Sequence, residues 1–370
     1  MTMRRPRLRL AAWGFAAGIG TVAVGLGLVA ASGIYNVAAT KPHFRFVDHL
    51  IEFALRRSIS LHSLGVRPPD LTDPALARLG REHFVTGCAP CHSTPGHARH
   101  PIARGMLPSP PRLEDAAGRW ETRELFWIVR HGLKFTGMPA WTGRDRDDEV
   151  WAVVAYLQQM PHDDDTTPTE EKRTPTLAFG ADEPVPLARC AACHGDGRRP
   201  PVHTSVPILH GQKEGYLARA LSEYHDGRRQ SGIMEPLAAA LSMEDIGRIA
   251  RQLAEASPPA AAVKANDERV ARGRQIFLEG VPRQELPACR SCHAPETSGQ
   301  FPLLDGLPGR YVEAQLGLFR SGVRSATTHG RIMSVIAERL SPEQIADIAA
   351  FLDSGGERAP VPAEARGEGE

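Results

Sequence analysis

Three stretches share one pattern: Cys88-Ala-Pro-Cys91-His92, Cys190-Ala-Ala-Cys193-His194 and Cys289-Arg-Ser-Cys292-His293. Together they use all six cysteines of the chain. Two cysteines three positions apart, followed at once by histidine, suit covalent haem c attachment. The sulfurs add to the haem vinyl groups as thioethers, and the histidine becomes the proximal iron ligand. Two intervening residues let one helical turn present both sulfurs, with the imidazole beneath the ring. Paired CxxC motifs can also build a four-cysteine zinc site. Three pairs leave one over, however, and zinc does not need a histidine after each. A redox dithiol is expected in a βαβ context, and structural disulfides are permitted outside the cytoplasm. The threefold recurrence favours three covalently bound haem c groups.

The sixth iron ligand decides what such a site does. Methionine opposite histidine gives a six-coordinate iron of raised potential, able to exchange electrons without binding oxygen or peroxide. The candidates are Met138 in "FTGMPAW", Met234 in "SGIMEPL" and Met333 in "GRIMSVI". A lone methionine is more often core filler. Here Met234 follows His194, and Met333 follows His293, by the same 40 positions. Each of the three is expected in a Gly- or Pro-bearing loop just before a terminal helix. In the first unit Met106, in "GMLPSPP", is the rival and is expected to wrap the ring edge. His131, His210, His225 and His329 read as solvated loop residues. Gly211 with Tyr216, and Gly306 with Tyr311, hold matching positions and are expected to shape haem pockets. So are Trp127, Trp141, Trp151 and Tyr156 in the first unit. No catalytic residue is assigned: a peroxidase would need an iron without a strong sixth ligand.

The elements that position these residues repeat three times. Each unit reads as a short helix, the motif, a Pro- and Gly-bearing loop, a methionine and an amphipathic terminal helix. "IMEPLAAALSMEDIGRIARQL" of the second unit aligns with "IMSVIAERLSPEQIADIAAFL" of the third, which implies an internal duplication. Ser242 and Ser341 are expected N-caps, and Ser341-Pro342-Glu343-Gln344 reads as a capping box with proline at the first helical position. Asp73 is expected to cap the helix "PALARLGREHF", and a terminal helix should begin near Asp147. Before Cys190 stand Pro184 and Pro186, through which a long leading helix cannot continue. The second unit is therefore expected to lean on a neighbour. The resulting division is an anchor or signal segment (1–40), an amphipathic connector (41–70) and haem units at 71–165, 181–257 and 258–356. A linker over 166–180 and a disordered tail over 357–370 complete it.

Arg4, Arg5, Arg7 and Arg9 precede an uncharged run from Leu10 to Ala39. About 20 apolar residues span a bilayer, and the basic flank should stay cytoplasmic. The run is longer than the usual apolar core of a cleaved signal peptide, although "VAAS" and "NVAA" offer small-residue cleavage sites. Either reading delivers the rest of the chain outside the cytoplasm. The connector could lie along the membrane or dock on the first unit. With 44 Lys plus Arg against 43 Asp plus Glu in 370 residues, nothing suggests a nucleic-acid partner.

These motifs resemble those of class I cytochromes c, over about Asp73 to Ser354. The second and third units are similar to bacterial two-haem class I cytochromes. The first, with "HGLKFTGMPAW" and "DDEVWAVVAYL", is similar to single-haem domains of bacterial respiratory chains. The resemblance implies an all-α fold of three tandem cytochrome c domains after a transmembrane helix. It implies an inner-membrane, single-pass electron carrier with its haems in the periplasm. Its redox partners would be a terminal oxidase, a quinol-oxidising complex, a dehydrogenase or a soluble cytochrome. The alternative is a cytochrome subunit of a membrane-bound alcohol or aldehyde dehydrogenase.

Overall fold

Helix ends in this chain are written by capping residues. In the computed structural model, which describes residues 5–38, 40–160, 187–258 and 268–356, Asp73 accepts from the Ala75 amide at 2.8 Å and starts α3, with Pro74 in its first turn. The expected linker and tail lie outside the described residues, as do Pro184 and Pro186. The helices are α1 (Arg5–Ser32), α2 (Arg45–His62), α3 (Pro74–Gly87), α4 (Ala89–His92), α5 (Pro101–Arg104) and α6 (Leu113–Ala116). There follow α7 (Thr122–His131), α8 (Asp147–Gln159), α9 (Leu187–His194), α10 (Glu214–His225), α11 (Met234–Ala239) and α12 (Met243–Glu255). The last are α13 (Glu268–Glu279), α14 (Arg290–His293), α15 (Gly309–Arg320), α16 (Thr328–Glu338) and α17 (Pro342–Asp353). Among the described residues there is no β-strand, only one isolated bridge, Val281 to Leu286. The fold is all-α.

The capping expectations hold. Ser242 accepts from the Asp245 amide at 3.0 Å, and Ser341 and Gln344 form the reciprocal box at the start of α17. Helix α8 begins with Asp147, Asp148 and Glu149, acids placed at the positive end of its dipole.

The first and third units are built on one helix crossing, α3 over α8 and α13 over α17. A Cβ on Gly80 would stand 1.8 Å from the Ala152 carbonyl oxygen, and one on Gly273 would stand 2.0 Å from that of Asp347. Only glycine lets backbones approach so closely. One turn further on, Phe84 meets Tyr156 and Phe277 meets Phe351, each pair with ring centroids 5.3 Å apart. Phe84 and Phe277 are almost wholly buried, which contributes roughly 1.5–3 kcal/mol each.

Helix α3 has a second face. Leu76, Ala77 and Leu79 cluster with Ala152 and Ala155 of α8, and also with Val206 and Cys193 of the second unit. That unit does lean on its neighbour. The connector α2 docks by its C-terminal end: Ile59 and Ser63 are fully buried, Arg56 lies over Trp120 at 5.1 Å and His62 beside Trp127 at 5.9 Å. Its other face leaves Phe46, Leu50 and Phe53 exposed. In α1, Trp13–Ser32 is long and apolar enough to cross a membrane, with mean hydropathy 1.9 and no burial.

Candidate haem sites

Each CxxCH motif forms one helical turn, on α4, at the end of α9 and on α14. The His92 amide donates to the Cys88 carbonyl at 2.9 Å and the His293 amide to that of Cys289 at 3.0 Å. The two sulfurs of each pair therefore sit three residues apart on one turn, as the spacing requires.

The three histidines share a further contact that the sequence reading missed. Nδ1 of His92 bonds the Pro111 carbonyl at 2.9 Å, that of His194 the Pro207 carbonyl and that of His293 the Pro302 carbonyl, both at 2.8 Å. A carbonyl only accepts, so Nδ1 carries the proton and Nε2 keeps its lone pair for a metal. Burial pushes all three imidazoles below their ordinary value, which favours the neutral ring a ligand needs. The signal was present in the sequence as a recurring Pro-x-Leu: Pro111-Arg112-Leu113, Pro207-Ile208-Leu209 and Pro302-Leu303-Leu304.

Burial pushes the Cys88 and Cys193 thiols up to about 12 and Cys289 up to about 11; Cys190 is raised by the same cause. These are the opposite of activated nucleophiles. All six cysteines are free. Among the described residues no group of three or more His, Cys, Asp or Glu side chains could hold a metal ion between them.

In the second unit, Cys190, Cys193, His194 and Met234 line one cavity of about 450 Å³. Its walls come from all three units: Leu79 and His83 from α3, Leu307 and Tyr311 from the third unit. Arg229 lines it too. This guanidinium is buried and bonds two neutral groups, the Tyr311 hydroxyl at 3.1 Å and the Gln315 amide oxygen at 3.4 Å. A buried cation with neutral partners suits an anionic ligand group such as a haem propionate. Free sulfurs, an Nε2 lone pair and a thioether lining one apolar cavity with a buried guanidinium fit haem c.

The methionines are placed differently from one another. Met138 follows Gly137 in a loop, and packs on the first core cluster together with Cys88. Met106 is close by, its methyl carbon within 2.1 Å of where a Gly137 Cβ would stand. Met234 opens α11, and Met333 lies inside α16. The expectation of a loop is corrected for these two. Thr327 caps α16 by accepting from the Gly330 amide at 3.0 Å, and no proline interrupts the helix before Pro342. Met333 packs on the third core cluster with Cys289.

Other expectations also shift. Trp151 stacks on Phe126 at 4.1 Å, inside the first unit. Trp127 instead faces His62 and His131; Trp141 packs on the first core cluster with Cys88 and Met138 and also reaches the second unit at Gly232. Tyr311 is buried and Tyr216 half-buried; both line the second cavity beside Arg229, as expected of pocket-shaping residues. Of the four histidines expected in solvent, His131 is exposed, whereas His210, His225 and His329 are half-buried. The same boundary is stitched by Gln212, which bonds both backbone groups of Leu303 at 2.9 and 2.7 Å. The Lys213 ammonium donates to the Ala294 carbonyl at 2.8 Å.

Comparison with known proteins agrees with this construction. Residues 75–157 match the family described as "Cytochrome C oxidase, cbb3-type, subunit III", and residues 270–356 match "Cytochrome c". The chain is 31% identical over 183 residues to the thiosulfate dehydrogenase electron acceptor of Stutzerimonas stutzeri (strain A1501), covering 48% of this chain and 84% of that one. It is 36% identical over 170 residues to cytochrome c4 of Pseudomonas aeruginosa, covering 45% and 83%. A solved cytochrome c4 of Acidithiobacillus ferrooxidans aligns with 33% identity and a TM-score of 0.41, over 45% of this chain and 98% of that one. The chain belongs to the class I c-type cytochromes, in a multihaem form that binds haem c covalently and works in electron transfer.

Proposed function

We propose that this chain is a three-haem electron carrier held to the cytoplasmic membrane by α1, with its haem units in the periplasm. The observation that carries this reading is the threefold identity of the proximal site, a CxxCH turn whose histidine Nδ1 is committed to a proline carbonyl. When bound, haem supplies a one-electron ferric/ferrous couple. The cysteine pairs 88/91, 190/193 and 289/292 hold it. His92, His194 and His293, oriented and kept neutral by their carbonyl partners, would each supply an imidazole ligand to its iron. Met138, Met234 and Met333 would each supply a thioether, a soft donor that would favour the reduced state. Met138 is preferred over Met106 because it shares a core cluster with Cys88. The domains run 71–165, 181–257 and 258–356.

The partners are redox proteins: a terminal oxidase, a quinol-oxidising complex, a dehydrogenase or a soluble cytochrome. The chain carries electrons and has no catalytic residue of its own. A second reading makes it the electron-accepting subunit of a dehydrogenase. The relative named as a thiosulfate dehydrogenase electron acceptor favours that class of donor over an alcohol or aldehyde enzyme. Intact mass after acid-acetone extraction should show three haem additions on one chain. Fewer additions, or haem lost on extraction, would refute the three-haem reading. Copurification of a dehydrogenase from solubilised membranes would select the second.

A further inference from the structure

The contact between the first and second units is centred on one carboxylate. Glu149 of α8 is buried, and four donors converge on it. Its Oε1 accepts from Ser231 Oγ at 2.6 Å and Arg146 Nη1 at 2.9 Å. Its Oε2 accepts from the Gly232 amide at 2.7 Å and Trp141 Nε1 at 3.0 Å. Two of these donors belong to the second unit, 82 and 83 residues along the chain. Arg146 also donates to the Gln230 carbonyl at 3.2 Å. The packing is close as well: a Cβ on Gly232 would stand 2.1 Å from the Trp141 indole nitrogen, and one on Gly143 would stand 2.8 Å from the Gly232 backbone nitrogen.

Ser231 passes this hold on. It spends its single hydroxyl proton on Glu149, and its lone pairs accept from the Ile233 amide at 3.2 Å and the Met234 amide at 3.0 Å. Ser231 is itself only 1% exposed, so water cannot replace the carboxylate. The backbone that presents the Met234 side chain to the second cavity is therefore fixed from outside its own unit.

We propose that Glu149 of the first unit is a positioning residue for Met234, so that the first unit helps set the axial coordination, and hence the potential, of the second haem. This rests on Met234 being the sixth ligand of that iron. The chemistry is specific to a carboxylate. An amide in its place would turn an NH2 donor toward a pocket that already holds four donors, leaving buried donors unpaired.

The test compares variants of the full haem-loaded chain, using carbon monoxide as the probe of an open ferrous iron and amide hydrogen exchange at residues 231–234. Met234→Ala should open one haem of three. Glu149→Gln and Ser231→Ala should raise the carbon monoxide-reactive fraction of that same haem. The expected rise is roughly ten- to hundredfold, the scale of losing a hydrogen bond to a charged group. Exchange at the Ile233 and Met234 amides should quicken with it, and the potential of that haem alone should fall. Ser231→Ala keeps the carboxylate bonded to Gly232 and Trp141, so it retains the contact between units while cutting the link to Met234. Asp147→Asn is the structural control, because Asp147 pairs with Arg130 inside the first unit at 2.6 Å and is not among the residues lining the second cavity. It should leave the second haem closed. If Met234→Ala opens the haem but Glu149→Gln and Ser231→Ala match the parent chain, Glu149 does not position the ligand. An effect of Asp147→Asn equal to that of Glu149→Gln also overturns the inference. If Met234→Ala leaves every haem closed, the ligand reading itself fails.

Discussion

The second and third units share aligned sequence from Ile233 and from Ile332, yet they enclose their sites differently. The third crosses its own α13 over α17, with Gly273 at the crossing and Phe277 on Phe351 one turn on. In the second unit the residue aligned with Phe351 is Gln252, and it is exposed. Its cavity is walled instead by α3, which already crosses α8 in the first unit. One helix thus borders two CxxCH units. A repeat can exchange a covalent neighbour for a tertiary one when the next unit offers an apolar helix face at the right place.

The largest test of this contrast is a matched pair at the aligned position. Phe351→Gln should destabilise the third unit by about 4 kcal/mol, because it removes a buried ring and puts an amide in its place. Gln252→Phe should change the second unit by no more than about 0.5 kcal/mol. Thermal unfolding followed in the haem bands reads both. Equal costs would mean that the two terminal helices meet the same kind of partner.

Next come the crossing glycines. Gly80→Ala and Gly273→Ala each force a methyl group into a backbone carbonyl, at about 3 kcal/mol or more. Gly80→Ala should loosen the first and second haem sites together, and Gly273→Ala the third alone. Site-resolved carbon monoxide binding or hydrogen exchange distinguishes them. A Gly80→Ala chain with an undisturbed second site would contradict the shared wall.

The smallest effect is a pH dependence. His83, on the shared face of α3, is held down to about 4 by burial, against an ordinary value of 6.5; a hydrogen bond with the Glu149 backbone opposes the shift only in part. Between those two values the unfolded chain binds a proton that the folded chain refuses. Stability is therefore full above pH 6.5 and falls as the pH drops toward 4, by at most about 3 kcal/mol. The loss should appear at the first and second sites, and His83→Gln should flatten it. An unchanged slope in that variant would assign the dependence to other groups.

What could be read directly from the sequence was local. The cysteine and histidine positions, the caps at Asp73, Ser242 and Ser341 and the starts of the terminal helices all depend on spacings of one to four residues. Such spacings act through a single helical turn. The prolines before Cys190 told the same story indirectly, as an expectation that the second unit needs a neighbour. The helix that supplies the neighbour was not legible, since Leu76, Ala77 and Leu79 read as the apolar face of one helix whichever units it serves. Met333 was misplaced into a loop because a glycine and a methionine say little about continuity once Thr327 has capped a helix.

Sequence alone therefore determined which atoms can hold haem, because covalent attachment needs only neighbours on one turn. Tertiary structure decided how those atoms are aimed and enclosed. The proline carbonyls that orient His92, His194 and His293 arrive from 19, 13 and 9 residues away. The carboxylate that accepts from Ser231, just ahead of Met234, arrives from 82 residues away. A buried hydrogen bond across such a distance exists only when packing has already brought both partners out of water, and no spacing along the chain records that.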